Sequence, residues 1–329
     1  MKFRLDIHTR SFPTRTPFRI SRTSVTAVDV VQVVLGRESD IGRGECRPYP
    51  RYNQTVESVT ADLESVRDEI ESGDVIAALS RLHSSGSGSG AARNALESAW
   101  LDYQCKSLGV SAARLLDVAP PSPRQTAFTL SWGSVDSMTA AAKAAADYPW
   151  LKIKISEGGL AHVLAVADAR PDASIIIDAN EALDPATLPV FLDALSGLNI
   201  ALIEQPLPAG HLEPLPDTSL ILCADEGLHT LDNLDDLWQL GYRAVNVKLD
   251  KCGGPVAARD LILRAKDKGF TVMAGCMVGS SLAMAPMMTL ESLCDIIDLD
   301  GALLLADDVD NGLKYDGATV FPPSRQLWG

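Results

Sequence analysis

The sequence of 329 residues lacks several features that would assign it to particular classes of protein. Basic residues are fewer than acidic ones, 29 against 43, and the formal net charge is −14. This balance argues against binding to nucleic acids or to anionic membranes, since both attract basic patches. No apolar run approaches the length of a membrane span. The opening stretch MKFRLDIHTR alternates polar and apolar residues, which predicts a strand and not a signal peptide.

The six cysteines are scattered and form no CxxC pair. A disulfide framework is typical of much smaller secreted chains, so we expect reduced, mostly buried thiols in a cytoplasmic protein. A GxGxxG turn after a first strand is also missing, which argues against an open, doubly wound dinucleotide-binding sheet. What remains is the composition of an ordinary globular protein, 46% hydrophobic and 22% charged.

Residues 1–118 have the pattern of an α+β capping domain. Two strand-like runs, KFRLDIH and VDVVQVVLG, precede helical patterns near 55–72 and 91–108. A serine- and glycine-rich stretch, HSSGSGSG at 83–90, separates the two helical patterns and predicts a flexible loop. The proline-rich segment APPSPR at 119–124 continues neither helix nor strand well, and we interpret it as a linker.

Residues 119–300 predict an α/β fold of the (β/α)8 type, a modified TIM barrel. Short apolar runs that end in a polar residue alternate with helix-sized segments, and successive polar ends lie 21–26 residues apart where each can be counted. The final segment, 301–329, has no such rhythm and is expected to return to the capping domain. The eight runs are QTAFTLSWG, WLKIKIS, SIIIDAN, ALIEQP, LILCADE, AVNVKLD, TVMAGC and DIIDLD.

Ionisable residues stand at the ends of these strands, where a barrel of this type has its functional groups. Lys152 and Lys154 are two apart in one strand, so both point to the same side. Asp178, Glu204 and Asp225 end the next three strands. Three carboxylates at close range repel one another, and a hard divalent cation with oxygen ligands, Mg²⁺ above all, would neutralise them.

The same residues predict proton-transfer chemistry. A divalent ion and Lys152 would both disfavour the charged form of Lys154, which could then act as a general base. Lys248 stands four strands further around the ring and would approach the centre from the opposite side. Two lysines flanking one carbon can remove a proton from one face and return it to the other, provided that the developing enediolate is stabilised.

The motifs KIK, DAN, EQP, ADE and VKLDKCGG resemble those of the enolase superfamily, in its muconate-lactonizing-enzyme-like branch. Further stretches are similar to dipeptide epimerases, especially the bacterial L-Ala-D/L-Glu epimerases. They are GECRPYPRYNQT at 44–55, GAARNALESAWLDY at 90–103, GCMVGSS at 275–281 and DLDG at 298–301.

The resemblance implies Mg²⁺-dependent epimerisation at the α-carbon of a dipeptide's C-terminal residue, by a two-lysine proton transfer through an enediolate. Lys154 and Lys248 would be the acid/base pair, and Lys152 would help to hold the substrate carboxylate. One Mg²⁺ per subunit would be bound by Asp178, Glu204 and Asp225.

The resemblance also implies that Asp298 and Asp300 bind the free ammonium group of the dipeptide. Two acids spaced by two on a strand share a face and suit a cation. The substrate's glutamate side chain needs a cation from the capping loops, for which Arg22 is the first choice and Arg19 and Arg51 are the alternatives. Many relatives carry an acid in the loop after strand seven, where this chain has Val278, Gly279 and Ser280.

Other functions stay open at this stage. A cycloisomerase or dehydratase of the same branch would also abstract a proton next to a carboxylate, but its substrate would have no use for the acidic pair. A Schiff-base aldolase would use Lys248 as a nucleophile. A non-catalytic binding barrel fits poorly with so many ionisable groups on one face. The resemblance further implies a role in murein peptide recycling, while the dipeptide range and a possible homo-oligomer stay open.

Overall fold

The computed structural model describes residues 2–19, 24–37, 39–84 and 89–329. Its two parts are a cap, which begins with a three-stranded sheet, and a barrel of eight strands. All six cysteines are free thiols, as the sequence predicts. Within the described residues, no helix combines the length and the apolar character that crossing a membrane requires.

The cap consists of an antiparallel sheet of order β1-β2-β3 packed on a group of helices. Alternate residues of β2, Val31, Val33 and Leu35, face the helices and form the core of the cap. A side chain on Gly44 would place its Cβ 2.1 Å from the carbonyl oxygen of Ala95, so glycine allows β3 to approach helix α4. The elements are β1 (Arg4–Arg19), β2 (Ser24–Arg37), β3 (Asp40–Cys46), a 3₁₀ turn (Pro50–Tyr52), α1 (Val56–Ser65), α2 (Arg67–Ser72), α3 (Val75–Ser84), α4 (Gly90–Leu108) and α5 (Ala112–Leu115).

The helical pattern of the cap is interrupted more often than the sequence predicts. The helix expected near 55–72 is broken at Val66, whose φ of −108° and ψ of 13° separate α1 from α2. Nothing in the local sequence explains this break, since 56–72 holds neither glycine nor proline. Helix α3 was not predicted, whereas α4 occupies the predicted range. Half of the predicted flexible loop at 83–90, residues 85–88, lies outside the described residues, while 83–84 end α3 and Gly90 begins α4.

The barrel has eight parallel strands that pair in chain order. The amide of Ala127 donates to the carbonyl of Ile297 at 2.8 Å, which joins the first strand region to the last and closes the ring. The fold class predicted from the strand rhythm is therefore confirmed. The strands are β5 (Phe128–Leu130), β6 (Trp150–Lys154), β7 (Ser174–Asp178), β8 (Ile200–Glu204), β9 (Leu222–Ala224), β10 (Ala244–Val247), β11 (Thr271–Ala274) and β12 (Ile296–Ile297).

Helices cover the outside of the barrel, but the prediction of a helix-sized crossover after every strand is wrong for β8. The crossover 205–221 contains four prolines and forms no helix, since proline interrupts helical hydrogen bonding. After β12 the chain forms only a 3₁₀ turn. The helices are α6 (Val135–Ala144), α7 (Leu160–Ala169), α8 (Leu188–Ala194), α9 (Asn233–Leu240), α10 (Leu249–Cys252), α11 (Pro255–Asp267) and α12 (Ser281–Met288), with 3₁₀ turns at Glu291–Leu293 and Gly301–Leu304.

Helix α4 is the main link between the cap and the barrel. The Nδ2 of Asn94 donates to Oδ1 of Asp250 at 2.8 Å. The end of the chain returns to the same helix, where Nε1 of Trp328 donates to the carbonyl of Ser98 at 3.0 Å. Before that return, β13 (Tyr315–Asp316) and β14 (Thr319–Val320) form a small sheet with β4 (Arg124–Gln125). These contacts place the mouth of the barrel under the cap.

Candidate active site

The strand period places the ionisable residues at the mouth of the barrel. An apolar cluster fills the barrel interior, formed by Ala127, Ile176, Leu202, Cys223, Ala244, Met273 and Ile296. Because strand residues two apart share a face, the residues two positions further on face the same interior nearer the carboxyl ends. Those residues are Thr129, Asp178, Glu204, Asp225, Asn246, Gly275 and Asp298.

Glycine is required at position 275 by this packing. A Cβ there would lie 2.0 Å from Oδ1 of Asn246, inside van der Waals contact. The freed space lets Asn246 turn its amide toward Glu204, and its Nδ2 donates to Oε1 at 2.7 Å. Asn246 was not singled out from the sequence, although it lies two residues before Lys248 in the same strand.

Lys152 is the centre of a buried ion-pair network. Its Nζ lies 2.7 Å from both Oε2 of Glu204 and Oδ2 of Asp298, and 3.2 Å from Oδ2 of Asp178. The Lys152 side chain is only 3% exposed. A buried ammonium is tolerated only when its charge is compensated, and here three carboxylates surround it. This explains how the first lysine of the KIK motif can lie inside the barrel.

The two predicted acid/base lysines contact different acids. Lys154 Nζ contacts Oδ2 of Asp178, and Lys248 Nζ donates to Oδ2 of Asp225 at 2.6 Å. Lys251, which the sequence analysis did not single out, donates to the other oxygen of Asp225 at 2.5 Å. The structure therefore brings both lysines and the predicted acids into one network, with the lysines on strands at separate positions around the ring.

Charge and burial shift the pKa values of these groups in opposite directions. Burial alone would raise the pKa of Asp178, but the ammonium groups of Lys154 and Lys152 outweigh it and hold that pKa below its ordinary value. Burial and the negative charge of Asp178 raise the pKa of Glu204. Burial opposes the charged form of Lys248, yet attraction to Asp225 and Glu204 raises its pKa well above the ordinary value.

The three predicted metal ligands are carboxylates, which suit a hard divalent cation, although lysines contact them in this structure. Among the described residues, no group of three His, Cys, Asp or Glu side chains is arranged to hold a metal ion. The carboxylates of Asp178, Glu204 and Asp225 instead contact ammonium groups. All three are oxygen donors at the ends of neighbouring strands, which is the ligand type that Mg²⁺ prefers. A cation of higher charge density would compete with the lysines for the same oxygens.

Asp298 and Asp300 lie beside the network on the eighth strand region. Oδ2 of Asp298 accepts from Lys152, while its buried Oδ1 has no hydrogen-bond partner in the described part of the chain. Oδ2 of Asp300 accepts from the amide of Thr129 at 2.6 Å. Burial and the charge of Asp298 raise the pKa of Asp300. The pair can therefore accept hydrogen bonds from a cationic group.

Three further polar residues close this site without having been predicted individually. Asn180 directly follows the DA of DAN, and Glu226 follows Asp225 in ADE. Asn180 Nδ2 donates to Oε1 of Glu226 at 3.3 Å. Gln205 follows Glu204, and its Oε1 accepts from the amides of Asp225 and Gly227. Their signal in the sequence was position, since each lies one or two residues after a predicted ligand in one of the motifs DAN, EQP and ADE.

The loops that hold these residues contain strained backbone. Asn180, Glu181 and Gln205 have positive φ angles of 43°, 67° and 37°. Residues other than glycine rarely adopt such angles, which cost of order 1–3 kcal/mol each. Their side chains offset that cost by hydrogen bonding between the loops, as Glu181 does when its Oε1 accepts from the amide of Ala209.

The capping loops supply the remaining wall of the pocket. Arg47, Tyr49 and Tyr52 from the cap face the same cavity as Lys154 and Lys248. Val25, Val278 and Leu304 add apolar surface. Among the described residues, the pocket is therefore acidic and basic at the barrel mouth and largely aromatic and apolar elsewhere, with one guanidinium, that of Arg47.

The three arginines predicted as partners for the substrate's glutamate side chain differ in their surroundings. Arg22 lies outside the described residues, so its role stays a prediction. Arg51 is bound elsewhere: its Nε and Nη2 donate to the two oxygens of Glu181 at 2.9 and 2.7 Å. Arg19 contributes to a neighbouring groove and not to the central pocket. In the loop after strand seven, Ser280 donates through its hydroxyl to buried Glu45 at 2.6 Å.

Two family models cover most of the chain. The model of the mandelate racemase / muconate lactonizing enzyme N-terminal domain matches residues 4–117. The model described as enolase C-terminal domain-like matches residues 136–323. The first match spans the cap, and the second covers the barrel from α6 onward with most of the segment that returns to the cap.

Two curated relatives are similar over nearly their whole length. The chain is 36% identical over 315 residues to the L-Ala-D/L-Glu epimerase of Escherichia coli K12, with 93% of this chain and 95% of that protein covered. It is 38% identical over 309 residues to the N-acetyl-D-glutamate racemase of a Pseudoalteromonas species, with 91% and 95% covered.

Solved structures have the same fold. An enolase family member from Agrobacterium tumefaciens, with bound sodium and L-Ala-L-Glu, superposes with a TM-score of 0.93 at 40% identity and covers 99% of this chain and 100% of that one. The dipeptide epimerase of Methylococcus capsulatus, complexed with Mg and L-Arg-D-Lys, gives 0.89 at 26% identity, with 100% and 99% covered. This chain belongs to the mandelate racemase / muconate lactonizing enzyme family of the enolase superfamily.

Proposed function

We propose that this protein is an Mg²⁺-dependent isomerase that epimerises the α-carbon of a dipeptide's C-terminal residue, with L-Ala-D/L-Glu as the preferred substrate. The observation that carries the proposal is the position of Lys154 and Lys248. Lys154 ends β6 and Lys248 directly follows β10, so they stand at the ends of separate strands of one ring, and both contact carboxylates and line the same cavity. The relatives and the liganded structures described above support the same reaction.

The two lysines divide the proton transfer between them. Each lysine acts on one face of the α-carbon, so one removes the proton and the other donates a proton to the opposite face, which inverts the configuration. Both are ion-paired to carboxylates, Lys154 to Asp178 and Lys248 to Asp225. An ammonium has no free electron pair with which to accept a proton, so the lysine that acts as the base has to be the neutral amine, while the lysine on the other face is the ammonium that donates.

Asp178, Glu204 and Asp225 would hold the Mg²⁺ ion. When bound, the ion would take up the charge of these acids, weaken their hold on the lysines and stabilise negative charge on the substrate carboxylate as the α-proton leaves. Lys152, which bridges Glu204 and Asp298, would place a fixed positive charge beside that same carboxylate.

The acidic pair favours a dipeptide over an ammonium-free substrate. The buried Oδ1 of Asp298 has no partner among the described residues, so it can accept a hydrogen bond from a substrate ammonium. Asp300, which already accepts from the amide of Thr129, would accept a second hydrogen bond from the same ammonium. A cycloisomerase or dehydratase substrate without an ammonium would leave this buried acceptor unsatisfied at a cost of about 1–3 kcal/mol.

The wider setting is part of the proposal. The family resemblance supports a role in murein peptide recycling in the cytoplasm, and the acidic composition is compatible with a small-molecule substrate. The range of dipeptides and any homo-oligomer are separate questions for measurement.

The test is solvent exchange at the α-carbon. A library of dipeptides is incubated with the protein and Mg²⁺ in D₂O, and mass spectrometry records deuterium at the α-position while chiral separation records inversion. We expect both in L-Ala-L-Glu and L-Ala-D-Glu, and loss of both when a chelator removes the metal. Absence of exchange in every dipeptide would contradict the proposal, and full activity with the chelator would contradict the metal dependence.

A further inference from the structure

Arg47 is a cationic side chain in the wall of the pocket that the proposed reaction does not use. It follows Cys46, the last residue of β3, and so extends from the end of the cap sheet. Arg47 contacts Tyr49 and Val278, and Lys154 and Lys248 line the same cavity. Arg47 therefore faces the same space as the proposed acid/base pair.

No carboxylate in the part of the chain that the structure describes accepts a hydrogen bond from the guanidinium of Arg47. Its Nη1 makes only a long bond of 3.4 Å to the carbonyl of Val278, and its Cζ lies 5.8 Å from the ring centre of Tyr49. It forms no ion pair within residues 2–19, 24–37, 39–84 and 89–329. The carboxylate of Asp250 accepts hydrogen bonds from the backbone amide of Arg47 and from the side chain of Asn94, but not from the guanidinium.

This state differs from that of every lysine in the barrel mouth. Lys152, Lys154, Lys248 and Lys251 all contact carboxylates. Burial disfavours the charged guanidinium and lowers the pKa of Arg47, and the attraction of Asp250 and Asp29 only partly opposes this. A planar carboxylate is the anion that a guanidinium binds best, by two parallel hydrogen bonds.

We propose that Arg47 binds the side-chain carboxylate of the substrate's C-terminal residue and so selects glutamate or aspartate at that position. The inference rests on the proposed function and deepens it, since it names a residue that determines specificity. The α-carboxylate is directed to the barrel centre and the ammonium to Asp298 and Asp300, so a second carboxylate is the anion left for the cap wall. Arg47 then acts on substrate choice and not on the proton transfer.

The test compares two substrates that differ only in charge. Epimerisation of L-Ala-L-Glu and of L-Ala-L-Gln is measured for the wild type and for Arg47→Gln, and the ratio of their kcat/KM values is the readout. A partly unfolded variant would lose both activities equally, so the ratio reports on Arg47 itself. Arg51→Gln is the matched control, because Arg51 is a cap arginine whose charge is already taken up by Glu181.

We expect Arg47→Gln to lower the preference for L-Ala-L-Glu over L-Ala-L-Gln by roughly tenfold to a hundredfold, the range for a charge-assisted hydrogen bond. The loss should fall mainly on KM, Arg47→Lys should restore part of the preference, and Arg51→Gln should leave the ratio unchanged. An unchanged ratio in Arg47→Gln would overturn the inference while leaving the epimerase function intact. A wild type that exchanges no dipeptide proton would overturn the function itself.

Discussion

The barrel mouth and the cap wall treat buried charge in opposite ways. At the barrel mouth, Lys152 is almost fully buried and contacts three carboxylates. On the cap wall, the guanidinium of Arg47 contacts a carbonyl and an aromatic ring and forms no ion pair with a carboxylate among the described residues. The difference indicates two roles. The barrel holds the catalytic groups in a network of paired charges, whereas the cap presents a positive charge that a substrate anion can pair with.

The largest effect is expected from removing one lysine of the barrel pair. Lys154→Ala and Lys248→Ala should each lower epimerisation by about 10²- to 10⁴-fold, the usual contribution of a general acid or base. Each variant should still exchange the α-proton of one substrate epimer without inversion, because the remaining lysine reaches only one face. Chiral analysis of deuterated product measures this, and an equal loss of exchange from both epimers would argue against opposed lysines.

The second effect concerns stability at the barrel mouth. Lys152→Met leaves Asp178, Glu204 and Asp298 with less positive charge, and breaking a buried ion pair typically costs about 3–5 kcal/mol of unfolding free energy. Urea unfolding in the presence of a chelator measures it. Lys154→Met is the matched control and should cost much less, because Lys154 contacts Asp178 alone and Asp178 keeps Lys152. Equal losses would show that the network is not centred on Lys152.

The third effect lies where cap and barrel meet. Burial raises the pKa of Asp250 from 3.8 to about 7. The folded protein therefore holds this proton more tightly than the unfolded chain, so its stabilising contribution is complete below about pH 4 and is lost as the pH rises to about 7. At about 1.4 kcal/mol per pKa unit, the contribution is at most about 4 kcal/mol.

Asp250→Asn removes this titration and should flatten the fall in unfolding free energy between pH 4 and pH 7. Denaturant unfolding at several pH values, on wild type and variant, measures the difference. Parallel pH profiles for the two proteins would mean that Asp250 does not titrate differently in the folded and unfolded states.

The smallest effect is expected from the compensated arginine of the cap. Arg51 is paired with Glu181, but its side chain is 39% exposed, and exposed ion pairs contribute about 0–1 kcal/mol. Arg51→Gln should therefore lower the unfolding free energy by less than about 1 kcal/mol, and added salt should reduce even that difference. A loss several times larger would show that the Arg51–Glu181 pair holds the cap on the barrel.

Much of the barrel could be predicted from the sequence, because the information is local there. The period of two places Asp178 and Glu204 on the inner face without knowledge of any contact. The four prolines of 205–221 argue against a helix, although the regular spacing of the other strand–helix units predicts one there. The break at Val66 had no local signal at all.

The charge state of the cap wall could not be predicted, because pairing depends on residues distant in sequence. Arg47 and Arg51 both lie in GECRPYPRYNQT and look equivalent there. Only the fold brings Glu181 to Arg51 and leaves Arg47 facing the pocket. The ion pair of Lys251 could not be predicted for the same reason, since its partner Asp225 lies 26 residues earlier in the chain.

The left-handed backbone at Asn180, Glu181 and Gln205 has a consequence for engineering. Glycine at these positions would relieve local strain, but it would remove the side-chain hydrogen bonds that connect three crossover loops. The backbone amide of Asp225 donates to the side chain of Gln205, so glycine at position 205 would exchange local strain for a less firmly held carboxylate in the active site.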